Sequence, residues 1–188
     1  MRIIGGKFRS RVLAEFGGKD VRPTSDRVKE SLFNILSLKV RGARVLDLFS
    51  GSGALGLECL SRGAAEVTFN DCAKESIAIL QKNLTALKLT KADGVILSNA
   101  DYAVCLERQI KPFDLIFIDP PYMEDYGVKA VKKIAEKGLL SKDGIIVFER
   151  HCPFDEPISG LEVYDIRKYG KAVLSFLRNS ETGAEREG

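Results

Sequence analysis

The chain has 188 residues, 45% of them hydrophobic, and a net charge of +3, enough apolar material for one domain with a substantial core. It has neither an apolar run long enough to cross a bilayer nor a charged-then-apolar leader, which argues against membrane insertion and export and makes the cytoplasm the expected compartment. Cys59, Cys72, Cys105 and Cys152 are far apart, and His151 is the only histidine; a metal cage, a disulfide framework and a histidine relay are therefore not expected, and the thiols read as buried or half-buried and free.

Residues 1 to 44 hold eleven Lys or Arg against four acids, a net of +7, while the remainder carries −4. A basic leading segment suits a polyanionic partner, because each phosphate contact releases counterions. Within it, "RIIGGKFRSRVL" predicts a basic hairpin. "RPTSDRVKESLFNIL" predicts a helix, with Thr24, Ser25 and Asp26 as cap candidates and Val28, Leu32, Ile35 and Leu36 on the buried face. Together these form a basic extension over 1–40 that precedes a main domain over 41–179. The polar end from about Asn179 reads as frayed, and 180–188 as a disordered tail.

From Ala43, short apolar runs alternate with helical patterns, the signature of a parallel sheet covered on both faces. Strands are predicted at 44–49, 66–70, 94–98, 114–118 and 144–149, and helices near 53–62, 73–87, 101–109 and 126–137. Ile77, Leu80, Leu84 and Leu87 recur at helical spacing and read as a core stripe. "LEVYDIRKYG" and "KAVLSFLR" then predict an antiparallel pair closing one edge. The expected class is α/β: a Rossmann-like seven-stranded sheet, mostly parallel with an antiparallel C-terminal strand, and helices on both faces.

Gly51, Gly53 and Gly56 in "DLFSGSGALGLE" have the spacing G-x-G-x-x-G, and Asp71 stands twenty residues beyond Gly51, where a nicotinamide enzyme keeps its ribose-binding acid. Asp47, ahead of the loop, would set a negative charge against a pyrophosphate and suits a cationic ammonium better. S-adenosylmethionine, with an ammonium and a sulfonium and no phosphate, meets that condition. Asp71 would accept from the ribose hydroxyls, and Asp101 from the adenine amino group. All three acids fall at carboxyl ends of strands, the ligand edge of an open α/β sheet.

"FIDPPYME" ends the fourth predicted strand. Asp119-Pro120-Pro121-Tyr122 places a carboxylate, a carbonyl and an aromatic ring on a turn stiffened by two fixed φ angles. This group suits an exocyclic amino nitrogen of a flat base: Asp119 and the Pro120 carbonyl accept its two hydrogens, and Tyr122 stacks on the ring.

"DLFSGSG", "DPPY", "RPTSDRVKESLFNIL", "LSRGA" and "RKYGKAVLSF" together resemble the bacterial small-subunit rRNA guanine-N2 methyltransferases of the RsmD type, over nearly the whole chain from Met1 to about Arg178. The resemblance implies that Asp47, Ser50, Gly51 and Gly53 line the methionine end of S-adenosylmethionine and that Thr24 closes over it. Asp71 stands where the family more often has a glutamate, for the ribose. Asp119, Pro120, Pro121 and Tyr122 would form the target-base pocket, and Lys7, Arg9, Arg11 and Arg22 would meet rRNA phosphates. The expected acceptor is N2 of a guanine in 16S rRNA, free or within the small subunit, methylated by a monomer without a metal.

Three other readings compete. A DNA amino-methyltransferase acting on adenine N6 or cytosine N4 would use the same D-P-P-Y chemistry. A NAD-dependent oxidoreductase would explain the glycines but not Asp119 to Tyr122. A non-catalytic RNA-binding module would have no reason to keep both sets of acids.

Overall fold

The computed structural model describes residues 1–16, 26–121 and 125–180. The elements follow in the order α1 (Asp26–Ile35), β1 (Arg44–Asp47), α2 (Ala54–Ser61), β2 (Glu66–Asn70), α3 (Lys74–Ala86), β3 (Val95–Ser98), α4 (Tyr102–Glu107), β4 (Phe113–Ile118), α5 (Tyr126–Glu136), β5 (Leu140–Arg150), β6 (Leu161–Tyr169) and β7 (Ala172–Asn179). The seven strands form one sheet in the order β3-β2-β1-β4-β5-β7-β6. Pairs from β3 through β5 are parallel, and β7 is antiparallel to both β5 and β6. This is the Rossmann-like α/β architecture expected from the alternation of runs. A dinucleotide domain continues the order 3-2-1-4-5 with another parallel strand; here an antiparallel strand takes that position.

The apolar runs of the central strands supply both faces, as buried parallel strands must. On one face Val45, Val67, Phe69, Leu115, Phe117 and Val147 pack with Leu32, Leu57, Leu80 and Leu84 from α1, α2 and α3. On the other, Leu46, Ile116, Ile118, Ile146 and Phe148 pack with Leu106, Val131 and Ile134 from α4 and α5. The outer strand β6 is exposed or half-buried throughout and carries Glu162, Asp165, Arg167 and Lys168, which discourages pairing with another chain. Among the described residues, no helix is long and apolar enough to cross a membrane.

Several expectations are corrected. The basic hairpin reduces to one bridge, Arg2 with Val12, because its backbone donors go elsewhere: Ile4 and Gly5 N–H to the Glu58 carboxylate at 2.8 Å each, Lys7 N–H to the Ser61 carbonyl and Phe8 N–H to Ser61 Oγ. The buried face of α1 carries Lys29, Leu32 and Phe33, with Leu36 just beyond, while Ile35 is 39% exposed. Lys29 turns inward because its ammonium reaches Glu58 at 3.4 Å and the Arg2 carbonyl at 2.6 Å. The stripe of α3 includes Ser76 and Asn83 beside Leu80 and Leu84. β5 begins at Leu140, four residues before the expected start, with an irregularity against β4 between Phe113 and Leu115. Asn179 is not frayed: it ends β7, its side chain bonds the Ser141 and Lys142 carbonyls, and Ser180 N–H bonds the Gly160 carbonyl. Thr24, Ser25, Arg22, Tyr122 and the tail from 181 lie outside the described residues. All four cysteines are free as expected, but Cys72 and Cys152 are exposed rather than buried.

Candidate active site

Strand order reverses between β1 and β4, which lie side by side with Asp47 opposite Phe117. At such a point the loops leaving the two strands diverge and open a crevice beyond their carboxyl ends. The loop after β1 carries the glycines; Asp119, Pro120 and Pro121 follow β4 directly.

The glycine loop is held by acids. Asp47, 3% exposed at the end of β1, accepts from Gly56 N–H at 2.9 Å, satisfying a first-turn donor of α2 that has no partner within the helix. Asp71 accepts from Gly51 N–H and, with its other oxygen, from Ala73 N–H, each at 2.9 Å, so it ties the loops after β1 and β2 together. Each oxygen of a carboxylate has two lone pairs, and both retain capacity for ribose hydroxyls. Gly53, at φ +81°, takes the left-handed conformation entering α2. A Cβ at Gly56 would sit 2.2 Å from the Phe69 ring, so the third glycine serves helix-to-strand contact. These observations assign the motif's glycines to shaping the loop, independently of which cofactor it faces.

Residues that the sequence reading passed over complete the frame. Asn83, on α3, donates to the Ser52 and Ala14 carbonyls and accepts from Ala14 N–H at 2.7 Å. The N-terminal segment is thereby laid over the glycine loop, with Phe16 3.9 Å from where a Gly51 Cβ would lie. Buried Asn70 bonds the Leu48 and Ala100 carbonyls, each at 3.1 Å. Asn83 was legible as a polar residue among the leucines of α3. Asn70 gave no such signal.

Asp101 is exposed and caps α4, accepting from Ala103 N–H at 2.8 Å; it lies after β3, at the expected edge. Ser50 Oγ is buried at the loop with no hydrogen-bond partner among the described residues. A buried hydroxyl without a partner costs free energy, and a polar ligand on the loop would relieve it. The chain's own groups thus fit a ligand with donors at the loop and hydroxyls beside Asp71. Lys7, Arg9 and Arg11 are exposed on the N-terminal segment. Its positive charge is less available than +7 suggests, since Lys29 is buried and Arg44 pairs with Glu66, an acid outside that count.

Burial, with the charge of Asp71, pushes Asp47 up to about 7 despite the bond from Gly56. Asp119 is pushed well above the usual carboxylate range by burial first, then by the charges of Glu149 and Asp47. The crevice thus gathers buried Asp47 and Glu149 with half-buried Asp71 and Asp119. Glu149, 8% exposed at the end of β5, is the acid that the reading missed; it ends "GIIVFE" as Asp119 ends "DLIFID", an acid closing an apolar run. Beside it is a cleft of about 480 Å³ walled in part by Pro120, Pro121, Phe148, Glu149 and His151.

The Asp47 shift has a testable consequence. A carboxyl whose folded-state pKa is raised favours the protonated form, so this group costs stability as pH rises from about 4 toward about 7. Asp47→Asn keeps an acceptor for Gly56 and removes the titration. Urea unfolding should show the variant gaining on the native chain across that window, reaching on the order of 3 kcal/mol. A difference independent of pH would contradict the burial argument.

The chain has relatives of known sequence and structure. A ribosomal RNA small subunit methyltransferase D from Escherichia coli strain K12 is 39% identical over 149 residues, spanning 79% of this chain and 74% of that one. Its namesake in Haemophilus influenzae is 37% identical over 169 residues, spanning 89% and 86%. The solved structure of yhhF from Escherichia coli superposes with a TM-score of 0.83 at 32% identity, covering 96% of this chain and 98% of that one. The family described as Conserved hypothetical protein 95 matches residues 1–178, and the chain therefore belongs to this family, the RsmD family.

Proposed function

We propose that the protein transfers a methyl group from S-adenosylmethionine to small-subunit rRNA, and that the acceptor is the exocyclic N2 of a guanine. The observation that carries the donor is the group of acids at the β1–β4 crevice: Asp47 and Asp71 hold the glycine loop by bonds of 2.9 Å, and Asp119 directly follows β4. A cation bound there favours the ionised form of each acid and is attracted by it, whereas a pyrophosphate is repelled. The names of the curated relatives support rRNA as acceptor, and the exposed Lys7, Arg9 and Arg11 supply phosphate contacts. An rRNA substrate places the work in the cytoplasm. The relatives' names do not specify guanine N2; that choice rests on the resemblance and on Asp119-Pro120-Pro121.

When bound, S-adenosylmethionine supplies an electrophilic methyl on a positive sulfur. The loop of Ser50, Gly51 and Gly53 holds its methionine end, Asp71 its ribose and Asp101 its adenine. Asp119 and the Pro120 carbonyl accept from the base's amino group and aim the nitrogen lone pair at the methyl. An amine that takes up the methyl group must shed a proton, which ionised Asp119 or solvent would accept. The guanine must be unstacked to reach the cleft, which favours an exposed or looped base.

Calorimetric titration tests the donor. S-adenosylmethionine should bind in the micromolar range, about −8 kcal/mol, and NAD should give no heat. Tighter binding of NAD would replace this reading with the oxidoreductase.

A further inference from the structure

Asp119 has a carboxylic neighbour outside the D-P-P-Y motif. β4 and β5 run parallel with Ile118 opposite Phe148, so the next residues, Asp119 just past β4 and Glu149 near the end of β5, lie on neighbouring strands at the ligand edge. Glu149 is buried, its charge acts on Asp119, and it joins Pro120 and Pro121 in the wall of the cleft. Burying a second acid beside the first costs free energy that one amine-gripping carboxyl does not require.

Two adjacent carboxyls suit a ligand edge with two adjacent donors. Guanine has such an edge, N1–H next to the N2 amino group. In adenine and cytosine the exocyclic amine is flanked by a ring-nitrogen acceptor, whose lone pair a carboxylate repels. We infer that Glu149 determines base specificity, its carboxylate accepting N1–H of the target guanine while Asp119 accepts from the N2 amino group. This rests on the guanine-N2 reading above. Glu149 makes further contacts in the fold, and a carboxylate has lone pairs for more than one donor.

The experiment replaces the guanine that the native enzyme methylates by 2-aminopurine, which keeps the N2 amine but has an acceptor at N1. The acceptor is naked rRNA or reconstituted small subunit, whichever the native enzyme uses. The native enzyme should prefer guanine by about 10³-fold or more in kcat/KM, because a site built for a donor rejects the analogue lacking it. Glu149→Gln, whose amide can donate to N1, should reduce that preference to about 10-fold or less, and Glu149→Asp should keep most of it. Thermal unfolding and S-adenosylmethionine titration of each variant separate a loss of fold from a change of preference. Native enzyme that methylates both bases equally overturns the inference without any variant, as does a preference unchanged in Glu149→Gln. Native label on adenine or cytosine removes this inference together with the reading beneath it, whereas label on guanine N2 with an unchanged preference removes this inference alone.

Discussion

Asp119→Ala is expected to lower kcat for methyl transfer by about 10²–10⁴-fold, in the range of a positioned group that handles a proton, while the dissociation constant for S-adenosylmethionine stays within about threefold of native. The two effects separate because the proposed cofactor contacts come from the loops after β1, β2 and β3, whereas Asp119 follows β4 and directly precedes Pro120 and Pro121 of the cleft wall. Asp119→Asn keeps one carbonyl acceptor and should fall between Ala and native. Because burial and the neighbouring acids raise Asp119 well above the carboxylate range, the native rate should climb with pH as this group ionises. Single-turnover rates and equilibrium titration on each variant provide the check. Equal loss of turnover and cofactor affinity would remove Asp119 from the acceptor side.

Glu58→Ala should destabilise the fold by about 3–5 kcal/mol, the cost of breaking a buried charge pair. Its fully buried carboxylate takes four donors: Ile4 N–H, Gly5 N–H, the Lys29 ammonium at 3.4 Å and Arg62 Nε at 2.8 Å. Removing it leaves the Lys29 ammonium buried with the Arg2 carbonyl as its remaining hydrogen-bond acceptor among the described residues and takes away two of the bonds that tie the N-terminal segment to α2, those of Ile4 and Gly5. Removing the ammonium as well, in Glu58→Leu with Lys29→Met, should recover part of the loss. Because Ala14 also touches the frame of the glycine loop through Asn83, cofactor affinity should weaken with Glu58→Ala more than a distant surface change would cause. Urea unfolding decides the matter, and a loss below about 1 kcal/mol would reduce this cluster to a surface-like pair.

The sheet was legible because a parallel strand buried on both faces must be an apolar run, and "VLDLF", "VTFN" and "LIFI" stand between helical patterns. The ligand edge was legible for a related reason: an acid following such a run is placed where the strand ends, which put Asp47, Asp71 and Asp119 together before any coordinates. The hairpin was misread because backbone donors of "RIIGG" satisfy a side chain 53 or 54 residues away, and no local pattern encodes that pairing. The face of α1 was misread because a lysine counts as solvent-facing until its buried partner is known. Asp47 was expected to face the ligand; that its carboxyl also accepts from Gly56 N–H and so shapes the loop was not legible. That contact depends on a distance, which spacing along the chain does not contain.

The most direct test of the account is transfer of labelled methyl from S-adenosylmethionine to naked small-subunit rRNA, to small subunits from cells lacking this protein and to double-stranded DNA, followed by nucleoside analysis. The account predicts N2-methylguanosine, and only in an RNA acceptor. Label in DNA as N6-methyladenine or N4-methylcytosine, or no label in any acceptor while S-adenosylmethionine binds, would contradict it.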